Sequence, residues 1–159
     1  MDLAQRFEQY ADDFDRTVAD EDWSRIRPYF TEDAVREEHM LPLMSFCHTG
    51  IDEIIEQWRS MVANFDRRFD RRVLVRVSPA RQEGAVVTLH WVGIYCVPGA
   101  PALLGEGHEV ARFRGARIEH LESIATKETV QRNMEWAAQY GDRVPGLLEW
   151  AATLAPAST

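Results

Sequence analysis

Apolar residues recur at helical spacing from the start of the chain. Leu3, Phe7, Tyr10, Phe14 and Val18 share one face, with acids and arginines opposite, and predict an amphipathic first helix. Asp20-Glu21-Asp22 breaks that pattern, and Asp22 is placed to cap a short second helix presenting Trp23, Ile26 and Phe30. Pro28 keeps this helix short or tightens it, because proline lacks the interior amide and disfavours helical geometry at Arg27. An extended segment through Ala34-Val-Arg-Glu-Glu38 leads into a loop from His39 to Thr49, whose Met40, Leu41, Leu43, Met44 and Phe46 suggest a lid or an interface. Gly50 then precedes a third helix with a broad stripe of Ile51, Ile54, Ile55, Trp58, Met61, Val62 and Phe65. Asp52 and Glu53 sit near its positive end.

From residue 72 the period falls to two. Val73, Val75 and Val77 alternate with Arg72, Leu74 and Arg76, Gln82-Glu-Gly84 marks a turn, and a long apolar strand begins near Ala85. Pro98-Gly-Ala-Pro101 connects it to strands over residues 103–114 and 117–124, joined by a compact hairpin at Arg114-Gly-Ala116. Residues 126–140 return to helical spacing through Val130, Met134 and Ala137, and a last amphipathic segment carries Leu147, Trp150 and Leu154. Helices first and an antiparallel meander after them predict an α+β fold, with the N-terminal helices packed on one face of a curved antiparallel sheet. Residues 1–125 form the core of the domain and 126–159 a helical extension of it.

The chain's 159 residues fit one domain, and 45% hydrophobic content suffices for a core that also lines a cavity. A net charge of -8 argues against a nonspecific grip on nucleic acid, which needs concentrated cations. The basic run Arg67-Arg68-Phe69-Asp70-Arg71-Arg72 reads as a solvated turn after a helix. The polar, acidic start lacks secretory features and implies a cytoplasmic protein, and no apolar run is long enough to span a bilayer. Cys47 and Cys96 have no metal-type spacing and are expected to be reduced packing residues. The five histidines form no recognisable ligand set either, so neither a metal nor another cofactor is expected.

Two local patterns, Asp22-Trp23 through Phe30-Thr-Glu-Asp-Ala-Val35 and Gly50 opening the third helix, resemble the cone-shaped fold of the nuclear-transport-factor-two-like superfamily. Its members include ketosteroid isomerases, SnoaL-like polyketide cyclases, dehydratases and limonene-type epoxide hydrolases, and the resemblance covers roughly residues 3–125. Such a fold hosts many chemistries. Counting forward from Phe30, the resemblance places Glu38 where the isomerases have their catalytic acid. A carboxylate there needs a site dry enough to raise its proton affinity; the competing reading is a strand-end acid paired with Arg36. In Gly107-His-Glu-Val-Ala-Arg-Phe-Arg-Gly115, Glu109 resembles the oxyanion-hole acid, which isomerases keep neutral so that it donates a hydrogen bond. Alternation turns Glu109 inward with Ala111 and Phe113, the alternative being a pair with an arginine of a neighbouring strand.

The same resemblance departs at Phe14, which stands where the isomerases carry a tyrosine and cannot donate a hydrogen bond. Tyr10, one turn earlier, offers a hydroxyl or serves as a core aromatic. Phe14, Trp58 and Met61 suggest an apolar cavity for a hydrophobic small molecule, though a packed core uses the same residue types. His90 is the remaining catalytic candidate, as a proton holder or water-orienting group, against the reading of a satisfied core histidine. On the last strand Glu122 is a substrate-contacting candidate, with Ile118, His120 and Ile124 expected on its face. The arginine and second acid that epoxide hydrolases place on a preceding strand are missing from Val87-Thr-Leu-His-Trp-Val-Gly-Ile-Tyr95. These readings converge on a cofactor-independent acid-base enzyme of isomerase, cyclase, dehydratase or epoxide hydrolase type. The alternative is a non-catalytic ligand-binding or dimerisation module, with Trp91 and Tyr95, opposite His90, as the interface of a homodimer.

Overall fold

Helix α1 (Leu3–Asp20) starts where the Asp2 side chain accepts from the Gln5 amide at 3.0 Å, and stops where Glu21 turns left-handed at φ 62°. The computed structural model describes residues 2–40 and 44–154. Leu3, Phe7 and Tyr10 of α1 are buried, while Phe14 and Val18 pack partly buried against the same core. Beyond α1 the chain makes two 3-10 turns, Trp23–Arg25 and Arg27–Tyr29, the tightening that Pro28 imposes. Asp22 makes no side-chain capping bond there, contrary to expectation, and its carboxylate accepts instead from the Ser24 hydroxyl at 2.5 Å.

Among the described residues seven strands form one sheet: β1 (Phe30–Met40), β2 (Met44–Thr49), β3 (Arg71–Arg76), β4 (Arg81–Glu83), β5 (Val86–Cys96), β6 (Leu103–Arg114) and β7 (Arg117–Ala125). Their order is β2-β1-β7-β6-β5-β3, with β4 also paired to β5. The expected antiparallel meander holds for β5, β6 and β7. The whole sheet is mixed, because β7 closes against β1 in parallel. The expected loop over 39–49 is also corrected: β2 pairs antiparallel with β1 from Val35↔Thr49 to Met40↔Met44, while Leu41, Pro42 and Leu43 lie outside the described residues.

Helix α2 (Ile51–Asn64) lays its apolar stripe over the sheet beside α1, and Ile54 and Trp58 join Phe7, Tyr10, Phe30 and Leu121 in the main core. Helices α3 (Lys127–Tyr140) and α4 (Leu147–Leu154) close one end of the cone around a second cluster of Phe69, Leu103, Trp136 and Leu147. The Trp136 indole N–H anchors this end by donating to the Pro101 carbonyl at 2.7 Å. Two arginines of the basic run serve the fold rather than a solvated turn. Arg68 donates to the carbonyls of Asn64 and Pro145, and Arg72 pairs with Asp15 and Asp66 inside the cone.

Candidate functional site

Register places four inward positions in one row across the sheet. Glu38 on β1 is opposite Ser123 on β7, Ser123 is opposite Glu109 on β6, and Glu109 is opposite Leu89 on β5. A neighbouring row holds Arg36, Leu121, Ala111 and Val87. Between these rows and helices α1 and α2 lies a cavity of two adjoining lobes, about 170 Å³ and 190 Å³, which share Glu38, Met61, Asp66, Trp91 and Tyr95. The inner lobe is lined by Tyr10, Phe14, Arg36, Trp58, Glu109 and Ser123 among others. The outer lobe is aromatic and aliphatic, with Phe65 and Leu103 facing Trp136, Leu147 and Trp150 of the C-terminal helices.

Each arginine of the inner lobe holds a carboxylate. Arg36 is ion-paired with Glu38, both almost fully buried, donates to Gln57 Oε1 at 2.7 Å and lies 5.2 Å from the Trp58 ring centroid. Arg72 lies 3.0 Å from Asp15 and 2.8 Å from Asp66, and Arg76 lies 2.6 Å from Asp12. Glu109 has no arginine partner among the described residues; its one hydrogen bond is a long one from the Ser123 hydroxyl, at 3.5 Å. Burial pushes the Glu109 carboxyl up to about 7, with Arg36 opposing and Glu38 reinforcing the shift. Burial and the nearby Glu109 raise the Tyr10 hydroxyl well above its ordinary value, so Tyr10 stays protonated.

Two residues that line the outer lobe each bury a polar atom without a partner among the described residues, the donor Trp91 Nε1 and the acceptor Asn133 Oδ1. Such groups cost free energy until something pairs with them. Two inward glycines make room for the rings beside them. A Cβ at Gly107 would stand 3.1 Å from the Trp91 ring and one at Gly93 would stand 2.9 Å from the Tyr95 ring, while one at Gly105 would meet both rings at an ordinary 3.8 Å. The sequence carries a signal of this feature in the period-two spacing of Gly105 and Gly107, whose register partners are Gly93 and Trp91.

Glu38, Glu109, Tyr10, Phe14, Trp58 and Met61 all line the inner lobe. His90 and Glu122 do not. Because Leu89 and Trp91 face the cavity, His90 points to the opposite side of the sheet, where its ring stacks on His108 and its Nε2 lies 2.9 Å from Glu106. This placement also corrects the expectation for Trp91 and Tyr95, which are cavity walls rather than an outer interface. On β7 a register irregularity between Arg112 and Phe113 leaves Glu119 as an extra residue, so Ile118 turns inward while His120 and Glu122 turn outward. Cys47 likewise lies exposed on edge strand β2 instead of packing in the core, and Cys96 is partly buried; both are free thiols.

No protein-family model matches the chain, and no curated protein matches it. Solved structures do. An NTF2-like protein of unknown function from Burkholderia pseudomallei is 14% identical, with 91% of this chain and 99% of that one covered at a TM-score of 0.61. A protein of unknown function with a cystatin-like fold from Xanthomonas campestris is also 14% identical, covering 86% and 98% at a TM-score of 0.62. A hypothetical protein with a ketosteroid isomerase-like fold from Catenulispora acidiphila, solved with trimethylamine, is 18% identical over 72% and 83% at a TM-score of 0.55. Helices over a curved mixed sheet, enclosing a cavity in these proportions, give this chain the α+β cone fold of the NTF2-like proteins.

Proposed function

We propose that the protein is a cofactor-independent acid-base enzyme that binds a hydrophobic small molecule in the two-lobed cavity and moves a proton at its oxygen-bearing end. Glu109 is the proton carrier in this reading. The observation that carries it is the contrast within the inner lobe: Glu38 is held by Arg36, whereas Glu109 sits in the same row without a cation. A carboxyl pushed up to about 7 is present in both protonation states near neutrality, as proton transfer requires. This moves the base from Glu38, the position implied by the isomerase resemblance, to Glu109.

The aromatic outer lobe suits the apolar body of a ligand. The inner lobe, where Tyr10 and Glu109 lie, then takes the ligand's polar end. Glu109 takes a proton from the carbon beside a carbonyl, the C–H electron pair moves into a new C=C bond, and the oxygen gains the negative charge. Returning the proton to another carbon completes an isomerisation.

The test is deuterium exchange from D₂O into a panel of apolar aryl and unsaturated ketones, followed by NMR, with ligand binding measured in parallel. The expected result is exchange by the wild type and a loss of about 10²- to 10⁴-fold in Glu109→Gln, with binding retained. Binding by the wild type without exchange would overturn catalysis and leave the non-catalytic ligand-binding module in its place.

A further inference from the structure

On the sheet face turned away from the cavity, two glutamates and two histidines of β1 and β7 meet. Glu37 and Glu122 are direct register partners, both outward, and His39 lies two residues along β1 from Glu37. His39 Nε2 is 3.3 Å from Glu37 Oε2 and 3.2 Å from Glu122 Oε1, and His120 Nε2 is 3.7 Å from Glu37 Oε2. The ligand atoms of Glu37, His39 and Glu122 all lie within 4.8 Å of one another. All four side chains are between 29% and 42% exposed, open enough for an ion to enter.

Side chains alone serve this arrangement poorly. Like charges directly opposite one another on adjacent strands repel. Neither Glu37 nor Glu122 has a lysine or arginine partner among the described residues. A single imidazole nitrogen carries at most one N–H, yet His39 Nε2 faces two carboxylates at long range. A tetrahedral zinc-type ion removes the conflict. Its nitrogen and oxygen ligands at about 2.0–2.2 Å sit at edges of about 3.3–3.6 Å, close to the 3.3 Å and 3.2 Å that separate His39 Nε2 from the two carboxylates. Two carboxylates also balance a divalent charge, and an imidazole favours zinc and its neighbours over magnesium or calcium. Around the cluster stand Arg112, the register partner of His120 on β6, and exposed Cys47, the partner of Glu37 on β2.

We infer that Glu37, His39 and Glu122 form a surface site for a divalent transition metal ion of zinc type, with water completing its coordination and His120 at its edge. The site is separated from the cavity by the sheet itself, so it stands independently of the acid-base reading.

The experiment uses the tag-free full chain, stripped with a chelator and titrated with Zn²⁺ by calorimetry and with Co²⁺ by visible absorption. The expected result is one ion per chain with a tetrahedral Co²⁺ spectrum. His39→Ala and Glu122→Gln each weaken Zn²⁺ binding by at least about tenfold, while His108→Ala, which removes an outward histidine two strands from His39, leaves it unchanged. As a check independent of substitution, Zn²⁺ shifts the His39 imidazole NMR resonances and not those of His48. Absence of Zn²⁺ uptake at micromolar concentration would overturn the inference, as would uptake undiminished in His39→Ala and Glu122→Gln.

Discussion

Replacing Glu109 with glutamine removes one proton-binding site and little else, since the amide keeps the shape and an acceptor for the Ser123 hydroxyl. In the wild type the carboxyl moves from an ordinary 4.5 to about 7, chiefly because burial penalises the anion. A raised folded-state value means that the folded protein keeps a proton the unfolded chain has released. Stability is therefore fully present below about pH 4.5, falls as pH rises through about 7, and levels off above it. At about 1.4 kcal/mol per pH unit, the complete loss is about 3–4 kcal/mol, and solvent access through the cavity reduces it to about 2–3.

Urea unfolding of both proteins at steps from pH 4 to pH 8 isolates this contribution, because every other titrating group is common to the two. The two stabilities should agree at pH 4. Glu109→Gln should then gain on the wild type through pH 5 to 7 and finish about 2–3 kcal/mol ahead at pH 8, a difference of roughly 4–12 °C in Tm for a domain of this size. Parallel pH profiles would refute the reasoning, because Glu109 would then ionise alike in the folded and unfolded chains.

Two further outcomes follow from the cavity wall. Arg36→Met strands the Glu38 charge beside Trp58 and should cost about 3–5 kcal/mol in chemical denaturation at neutral pH, with Glu38→Gln in the same background restoring most of it. Gly107→Ala brings a methyl group to 2.9 Å from the Ile124 carbonyl and 3.1 Å from the Trp91 ring. It should cost about 1–3 kcal/mol and change the near-UV circular dichroism of the indole.

The helices were legible because α1 and α2 each bury one continuous stripe, and the β6–β7 hairpin because Gly115 takes a positive φ of 64° at its turn. Strand faces were harder to read. β6 declares its inward side through Glu109, Ala111 and Phe113, flanked by arginines. β5 is apolar on both sides, with Val92 and Ile94 outward and Trp91 inward, so only its register with β6 fixes which way His90 points. On β7 a single extra residue at Glu119 inverted the expected face, carrying Glu122 away from the cavity and into contact with His39. The parallel β1–β7 pair depends on a closure across some eighty residues, which no local pattern encodes.

That closure decides the chemistry of the inner lobe. Arg36 and Glu38 share a face because they are two residues apart on one strand, so their pairing is local to β1. Glu109 meets them only when β7 slots between β1 and β6 and supplies Ser123 as the bridge. Arg72 and Arg76 approach from β3 and are taken by Asp15, Asp66 and Asp12. The cavity thus gathers more acids than arginines, and Glu109 is the acid left over. Two acids that looked equivalent along the chain are separated by which strand carries the arginine. If Glu38 were the proton carrier instead, Glu38→Gln would abolish ketone exchange and Glu109→Gln would spare it, the reverse of the order argued from the structure.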